Sequence, residues 1–197
     1  LVSYGEGGSA VLSLGSRAVV IGCGGNDRVG EKTAAFLRAS GVTALDAIVA
    51  PAETQRLMGG MPAFAAEFPP ETVYSGSTRN WYRTLADHTD AEMRPLLPGR
   101  YSLWGEGTLV VSNSREYPDI GVVCGGARIL FQSSRLPAPE GGWDLVIFYD
   151  EIPEKDGIPP RWYDIIETMR LPFSPHWLAG QPLFGESFTA DIRYFFR

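Results

Sequence analysis

Glycine pairs partition the N-terminal part of this chain, and their spacing constrains the fold more than any other feature. Ser9–Leu14 and Arg17–Ile21 are apolar runs separated by Gly15-Ser16, which reads as a β-hairpin. Gly22-Cys23-Gly24-Gly25-Asn26 breaks the chain, and a helix capped by Asp27 is expected to run to about Ser40. Val29, Thr33, Phe36 and Leu37 give that helix one buried face, and Gly41 stops it. Asp46–Ala50 is the next buried strand, followed by a short loop that closes on Gly59-Gly60.

Further on the pattern continues with less regularity. Gly60–Phe68 predicts a helix ended by Pro69-Pro70, Thr72–Tyr74 a short strand, and Thr78–His88 a helical stretch with Trp81, Tyr82 and Leu85 apolar. Leu97-Pro98-Gly99-Arg100 leads into strands at Tyr101–Trp104 and Thr108–Val111, turned by Gly105-Glu106-Gly107. Ile120–Cys124 and Arg128–Phe131 form a hairpin around Gly125-Gly126, and Asp144–Tyr149 is an apolar strand. Arg161–Met169 reads as helix and Ala190–Phe196 as a last strand. Hairpins mixed with helices in each half predict an α+β chain of two sheets with helices packed outside them.

With 197 residues and 44% hydrophobic content, the chain can bury a core as one domain or as two halves sharing an interface. No apolar run approaches the roughly 18 residues that span a bilayer; the longest, near Ala47–Ala50 and Ile120–Cys124, are strand-sized. No leader is visible, and the sequence opens inside a strand (Leu1, Val2, Ser3), which reads as a domain excised from a longer protein. The net charge is −6, with no basic stripe of the kind that nucleic-acid binders carry. Cys23 and Cys124 suit two free thiols or one long-range disulfide.

The order hairpin, glycine-rich break, helix, strand, loop, Gly-Gly resembles the metallo-β-lactamase fold, and more specifically the extracytoplasmic domain of ComEC-type competence proteins. Ser3-Tyr4-Gly5-Glu6-Gly7-Gly8-Ser9 stands where that family opens Asp-Val-Gly-Gln-Gly-Asp-(Ser/Ala). Ile21-Gly22-Cys23-Gly24-Gly25 stands at its Ile-Asp-x-Gly-Gly. Ala35–Val42, Leu45–Val49 and Pro98–Val111 match its next helix and strands, so the likeness covers about residues 1–150. The resemblance implies a four-layer αβ/βα sandwich over 1–197, its halves meeting sheet to sheet with the site at one end, and the aromatic tail 151–197 packed on the same domain.

In that family the chemistry rests on Thr-His-x-His-x-Asp-His before Gly-Gly, because imidazoles and a carboxylate on one tight loop hold zinc or manganese with a position open for water. The corresponding loop here is Pro51-Ala52-Glu53-Thr54-Gln55-Arg56-Leu57-Met58-Gly59-Gly60. Ala52, Thr54 and Leu57 replace the histidines, and Arg56 the aspartate. Ser134 stands for the metal-bridging acid, Asp150-Glu151 for a histidine pair, and Ser3 and Gly22 for two further aspartates. A cation in the middle of the loop also opposes a divalent metal. The resemblance therefore implies a vestigial cleft of Ala52, Glu53, Thr54, Arg56, Leu57, Ser134, Asp150 and Glu151, with no catalytic residue, metal or cofactor.

Other readings of the same residues are weaker. Glu53, Asp150 and Glu151 could make an oxygen-donor site, but a salt bridge from Arg56 to one of them fits the neighbouring charges better. His88 and His176 have no partner at ligand spacing and read as structural or surface residues. Ser9, Ser133 and Ser134 lack a nucleophile elbow. Gly5-Glu6-Gly7-Gly8 lacks the Lys-Ser/Thr of a phosphate loop and reads as a tight turn between strands. The tail, with Trp162, Tyr163, Phe173, Trp177 and Phe184 among prolines, reads foremost as cover over a sheet, then as a protein contact or a stacking surface for bases.

The function these features imply is that of a non-catalytic domain in a ComEC-like membrane protein of DNA uptake, a scaffold or weak binder outside the cytoplasm. Its partners are then other parts of the parent protein, with a possible weak DNA contact and no identifiable small-molecule ligand. A phosphodiesterase or nuclease with a non-standard site is the alternative.

Overall fold

A computed structural model of the chain describes residues 2–4, 7–52, 54–76, 85, 87, 89–104, 107–112, 118–124, 127–132 and 145–148. It divides into two compact units, the first built on residues 1–97 and the second on residues from Pro98 onward.

The first unit holds a six-stranded sheet in the order β1-β2-β3-β4-β5-β6. Its strands are β1 (Val2–Tyr4), β2 (Gly7–Leu14), β3 (Arg17–Ile21), β4 (Ala44–Ala50), β5 (Pro70–Ser75) and β6 (Glu92–Pro95). The first three pair antiparallel, Tyr4 facing Gly7, and Leu14 facing Arg17 across the turn at Gly15-Ser16. From β3 to β6 every pairing is parallel, which requires a crossover between strands. Helix α1 (Asp27–Ala39) supplies the first, and α2 (Gln55–Met58) with α3 (Met61–Glu67) the second. In β3, Ala18, Val19, Val20 and Ile21 are all buried, as are Ala47, Ile48, Val49 and Ala50 in β4. Unbroken apolar runs of this kind belong to strands covered on both faces.

Pairing of β3 with β4 steps by one residue, Ala18 facing Leu45 and Val19 facing Ala47. Asp46 is the extra residue of this bulge, and it takes a 2.9 Å ion pair from the Nε of Arg17. Helix α1 buries Val29, Gly30, Thr33, Ala34 and Leu37. Phe36, expected on that face, is half-buried. The cap is Asn26, whose side chain accepts from Arg28 N at 3.1 Å, and Asp27 is the first helical residue. Both residue types cap helices, and the backbone geometry selects the earlier. Arg38 ties the end of α1 to the last turn of α3, donating to the Glu67 carboxylate at 2.8 Å and to its carbonyl at 3.1 Å.

The second unit holds a five-stranded sheet in the order β11-β10-β9-β8-β7, with β7 (Gly99–Ser102), β8 (Thr108–Val111), β9 (Ile120–Cys124), β10 (Ala127–Gln132) and β11 (Leu145–Phe148). β7 to β10 are antiparallel neighbours, and β11 joins parallel to β10. Leu109, Val111, Ile120, Val122, Ile129 and Phe131 share one buried face by their register. The expected hairpin of Ile120–Cys124 with Arg128–Phe131 is present, extended by one residue at each end of the second strand. The expectations for Thr78–His88, Arg161–Met169, Ala190–Phe196 and the aromatic tail fall on residues that are, apart from Leu85 and Asp87, outside the described ones. No described helix is long and apolar enough to cross a membrane.

Candidate functional site

Three parallel strands of the first unit end side by side, and their C-terminal ends are where an open sheet of this kind presents a ligand. β3 ends at Ile21 and enters Gly22-Cys23-Gly24-Gly25; β4 ends at Ala50 and enters the loop 51–60; β5 ends at Ser75 before Gly76. Backbone hydrogen bonds fix these ends to one another: Gly22 N donates to Val49 O at 2.9 Å and Gly76 N to Ala50 O at 2.9 Å. Gly22 has φ +65°, a left-handed conformation that side-chain-bearing residues seldom adopt.

Within the loop, Ala52, Thr54 and Leu57 are committed to the fold. Ala52 is 6% exposed and carries no donor. Thr54 is the N-cap of α2, and its hydroxyl accepts from Leu57 N at 3.3 Å. Leu57 is 5% exposed, and its Cδ2 would lie 3.6 Å from a Cβ placed on Gly22. The leucine thus lies against the turn at van der Waals distance. Sequence reading treated 51–59 as a plain loop; four residues are too few to show helical periodicity, and only the cap residue Thr54 signals the turn of helix.

Arg56 occupies the second position of α2. Glu53, Ser134, Asp150 and Glu151 lie outside the described residues, as do His88 and His176. The expected pairing of Arg56 with Glu53, Asp150 or Glu151 therefore concerns residues outside the described ones. Leu57 lies against Gly22, and Thr54 joins Leu57 and Ala52 through the hydrogen bonds of its own turn.

These residues do not fit a zinc or manganese ion. Such ions require imidazole, thiolate or carboxylate donors with a free lone pair. Gly22, Ala52 and Leu57 have none, and the hydroxyl of Thr54 already serves the backbone of its own helix. Among the described residues, no group of three or more His, Cys, Asp or Glu could hold a metal ion. The adjacent Cys23 is fully buried and free, and Cys124 is free as well. Burial pushes the Cys23 thiol up to about 12, and the protonated thiol makes a weak 3.8 Å contact as donor to Thr33 Oγ1. A thiol held protonated is neither a nucleophile nor a ligand at neutral pH.

Sequence reasoning gave Ser9 and Thr33 no joint role, yet they form a buried polar link beside the turn. Thr33 Oγ1 donates to Val29 O at 2.8 Å, which leaves Ser9 Oγ to donate to Thr33 at 2.7 Å. The pair joins β2 to α1, and every hydroxyl proton in it is placed.

No protein-family model and no curated protein matches this chain. Solved structures do. The chain is similar to zinc-bound PqqB from Methylobacterium extorquens, at 13% identity over 70% of this chain and 55% of that one, with a TM-score of 0.50. It is similar also to the metallo-β-lactamase fold protein YhfI from Bacillus subtilis, at 11% identity over 70% of this chain and 61% of that one, with a TM-score of 0.53. The chain thus spans less than two thirds of the length of either protein. At such identities the likeness speaks for the fold alone. This chain has the metallo-β-lactamase fold, the α+β architecture that its sequence pattern resembles.

Proposed function

We propose that this chain is a non-catalytic domain of a ComEC-like competence protein, in which the metallo-β-lactamase fold persists as a scaffold or weak binder after loss of its metal centre. One observation carries the reading. The loop that would bear the ligands has apolar residues at Ala52 and Leu57, both buried, and its remaining hydroxyl, Thr54, caps a helix. The similar structure of PqqB is described as zinc-bound; among the described residues, those at the sheet end here supply no comparable donors. The link to DNA uptake comes from the likeness of residues 1–150 to that family, and the glycines that shape the turns are retained while the donors are not.

Purified protein is expected to contain no stoichiometric zinc or manganese by elemental analysis after dialysis. It is also expected not to hydrolyse DNA, RNA or a β-lactam, with or without added manganese, since family nucleases work through a metal-bound water. One or two equivalents of retained metal would overturn the reading. Turnover that co-purifies with the protein and is abolished by substituting Glu53, Asp150 or Glu151 would replace it with a hydrolase built on a non-standard site.

A further inference from the structure

The glycine-rich turn after β3 and the loop after β4 are joined more closely than chain connectivity demands. Cys23 N donates to Leu57 O at 2.8 Å, Gly25 N to Gln55 O at 2.9 Å, and Gly60 N to Cys23 O at 2.8 Å. The Gln55 side chain answers the second of these, its Nε2 donating to Gly25 O at 2.7 Å. Gln55 and Gly25 are therefore bonded twice, once in each direction. A Cβ on Gly59 would stand 2.3 Å from both Gln55 Nε2 and Gly25 O, so only glycine leaves space for the clasp. On the other side of the turn, Leu57 lies over Gly22.

We propose that residues 22–25 and 54–60 form a self-supporting latch, in which Gln55 clasped to Gly25 and Leu57 seated over Gly22 hold the loop in one conformation with no bound ion. A helix of four residues does not persist on its own, because nucleation costs more than so few bonds return. Here α2 is held by its Thr54 cap, by the bonds to the turn and by the burial of Leu57 and Met58. A loop anchored in this way carries the stability of the sheet ends to which it is bonded rather than that of a surface loop.

Amide hydrogen exchange on the full chain, followed by NMR, tests the latch. The amides of Cys23, Gly25 and Gly60 are expected to be protected within about tenfold of Ile48 and Val49 in β4, and unchanged by a chelator. Gln55→Ala is expected to speed exchange at Gly25 and Cys23 by roughly three- to tenfold, the worth of one hydrogen bond, and to leave Ile48 unchanged. Loop amides that exchange almost unprotected, acceleration by chelator, or no effect of Gln55→Ala would each overturn the proposal. Should Gln55→Ala fail to fold, the wild-type comparison with and without chelator decides by itself. The latch does not rest on the scaffold role: metal in the purified protein counts against that role, whereas unprotected amides in metal-free protein count against the latch alone.

Discussion

Cys23 shows how one buried atom sets a pH dependence. Its thiol is pushed up to about 12 because burial disfavours the thiolate. Below the ordinary thiol value of 9.0 both folded and unfolded chains hold the proton, and the group contributes nothing to the slope. Above it the unfolded chain releases the proton while the folded chain keeps it, so stability is lost as pH rises from about 9 toward about 12. One proton of difference is worth up to about 1.4 kcal/mol per pH unit. Urea unfolding between pH 8 and pH 10.5 is expected to show a steeper loss for the wild type than for Cys23→Ala; equal slopes would mean that the thiol ionises freely. Sequence could place Cys23 beside a glycine break but could not say that it is buried, because burial depends on where α1 and β2 come to rest. In the same way, Leu57 was legible as an apolar residue in the loop before Gly59-Gly60 but not as a side chain seated over Gly22.

Helix α1 and the start of α3 meet at close backbone range. A Cβ on Gly30 would stand 2.3 Å from Gly60 O and 2.8 Å from Phe64 N, and one on Gly60 2.7 Å from Asn26 O. These are backbone atoms, which cannot swing aside. Gly60 itself has φ −94°, an ordinary value, so it is required for space and not for conformation. Gly60→Ala is expected to lower stability by about 1–3 kcal/mol, the usual cost of overpacking, and Gly60→Val by more. In a chain of this size each kcal/mol shifts the melting temperature by about 2–4 °C, and an unchanged melting curve for Gly60→Val would refute the close approach. Gly59-Gly60 was legible as the end of the loop, as were α1, β3 and β4 from their apolar patterns, but the close approach to Asn26 and Gly30 that requires glycine was not. β6 was not: Glu92-Met93-Arg94-Pro95 is polar and ends in proline, the composition of an edge strand protected from further pairing. Nor was β5 seen at full length, because its first residue, Pro70, reads as a stop in any single-sequence view.

At the scale of the molecule, the order of glycine breaks in sequence anticipated the fold, but not which strands pair in parallel, since pairing joins segments far apart in the chain. The same scale governs the question of DNA, which the family likeness invites and the charge balance resists. Affinity for a polyanion comes mainly from cations that neutralise phosphates and release counterions, roughly one unit of salt slope for each. This chain carries a net charge of −6. Three of its described arginines already face carboxylates, Arg17 with Asp46, Arg38 with Glu67 and Arg94 with Glu92. A phosphate would have to displace those acids or sit beside them, and either lowers the gain. Arg128 is exposed on β10, but Arg100, its nearest described basic residue in the second unit's sequence, lies three strands away at the far edge of the sheet. The domain is therefore expected to bind single- or double-stranded DNA at ~10⁻⁴ M or weaker at physiological salt, the range of non-specific contact. Fluorescence anisotropy of a labelled oligonucleotide, titrated at two salt concentrations, measures this directly. Micromolar binding that weakens in Arg56→Ala would reverse the conclusion, making the loop after β4 a DNA-contacting surface and the scaffold reading wrong.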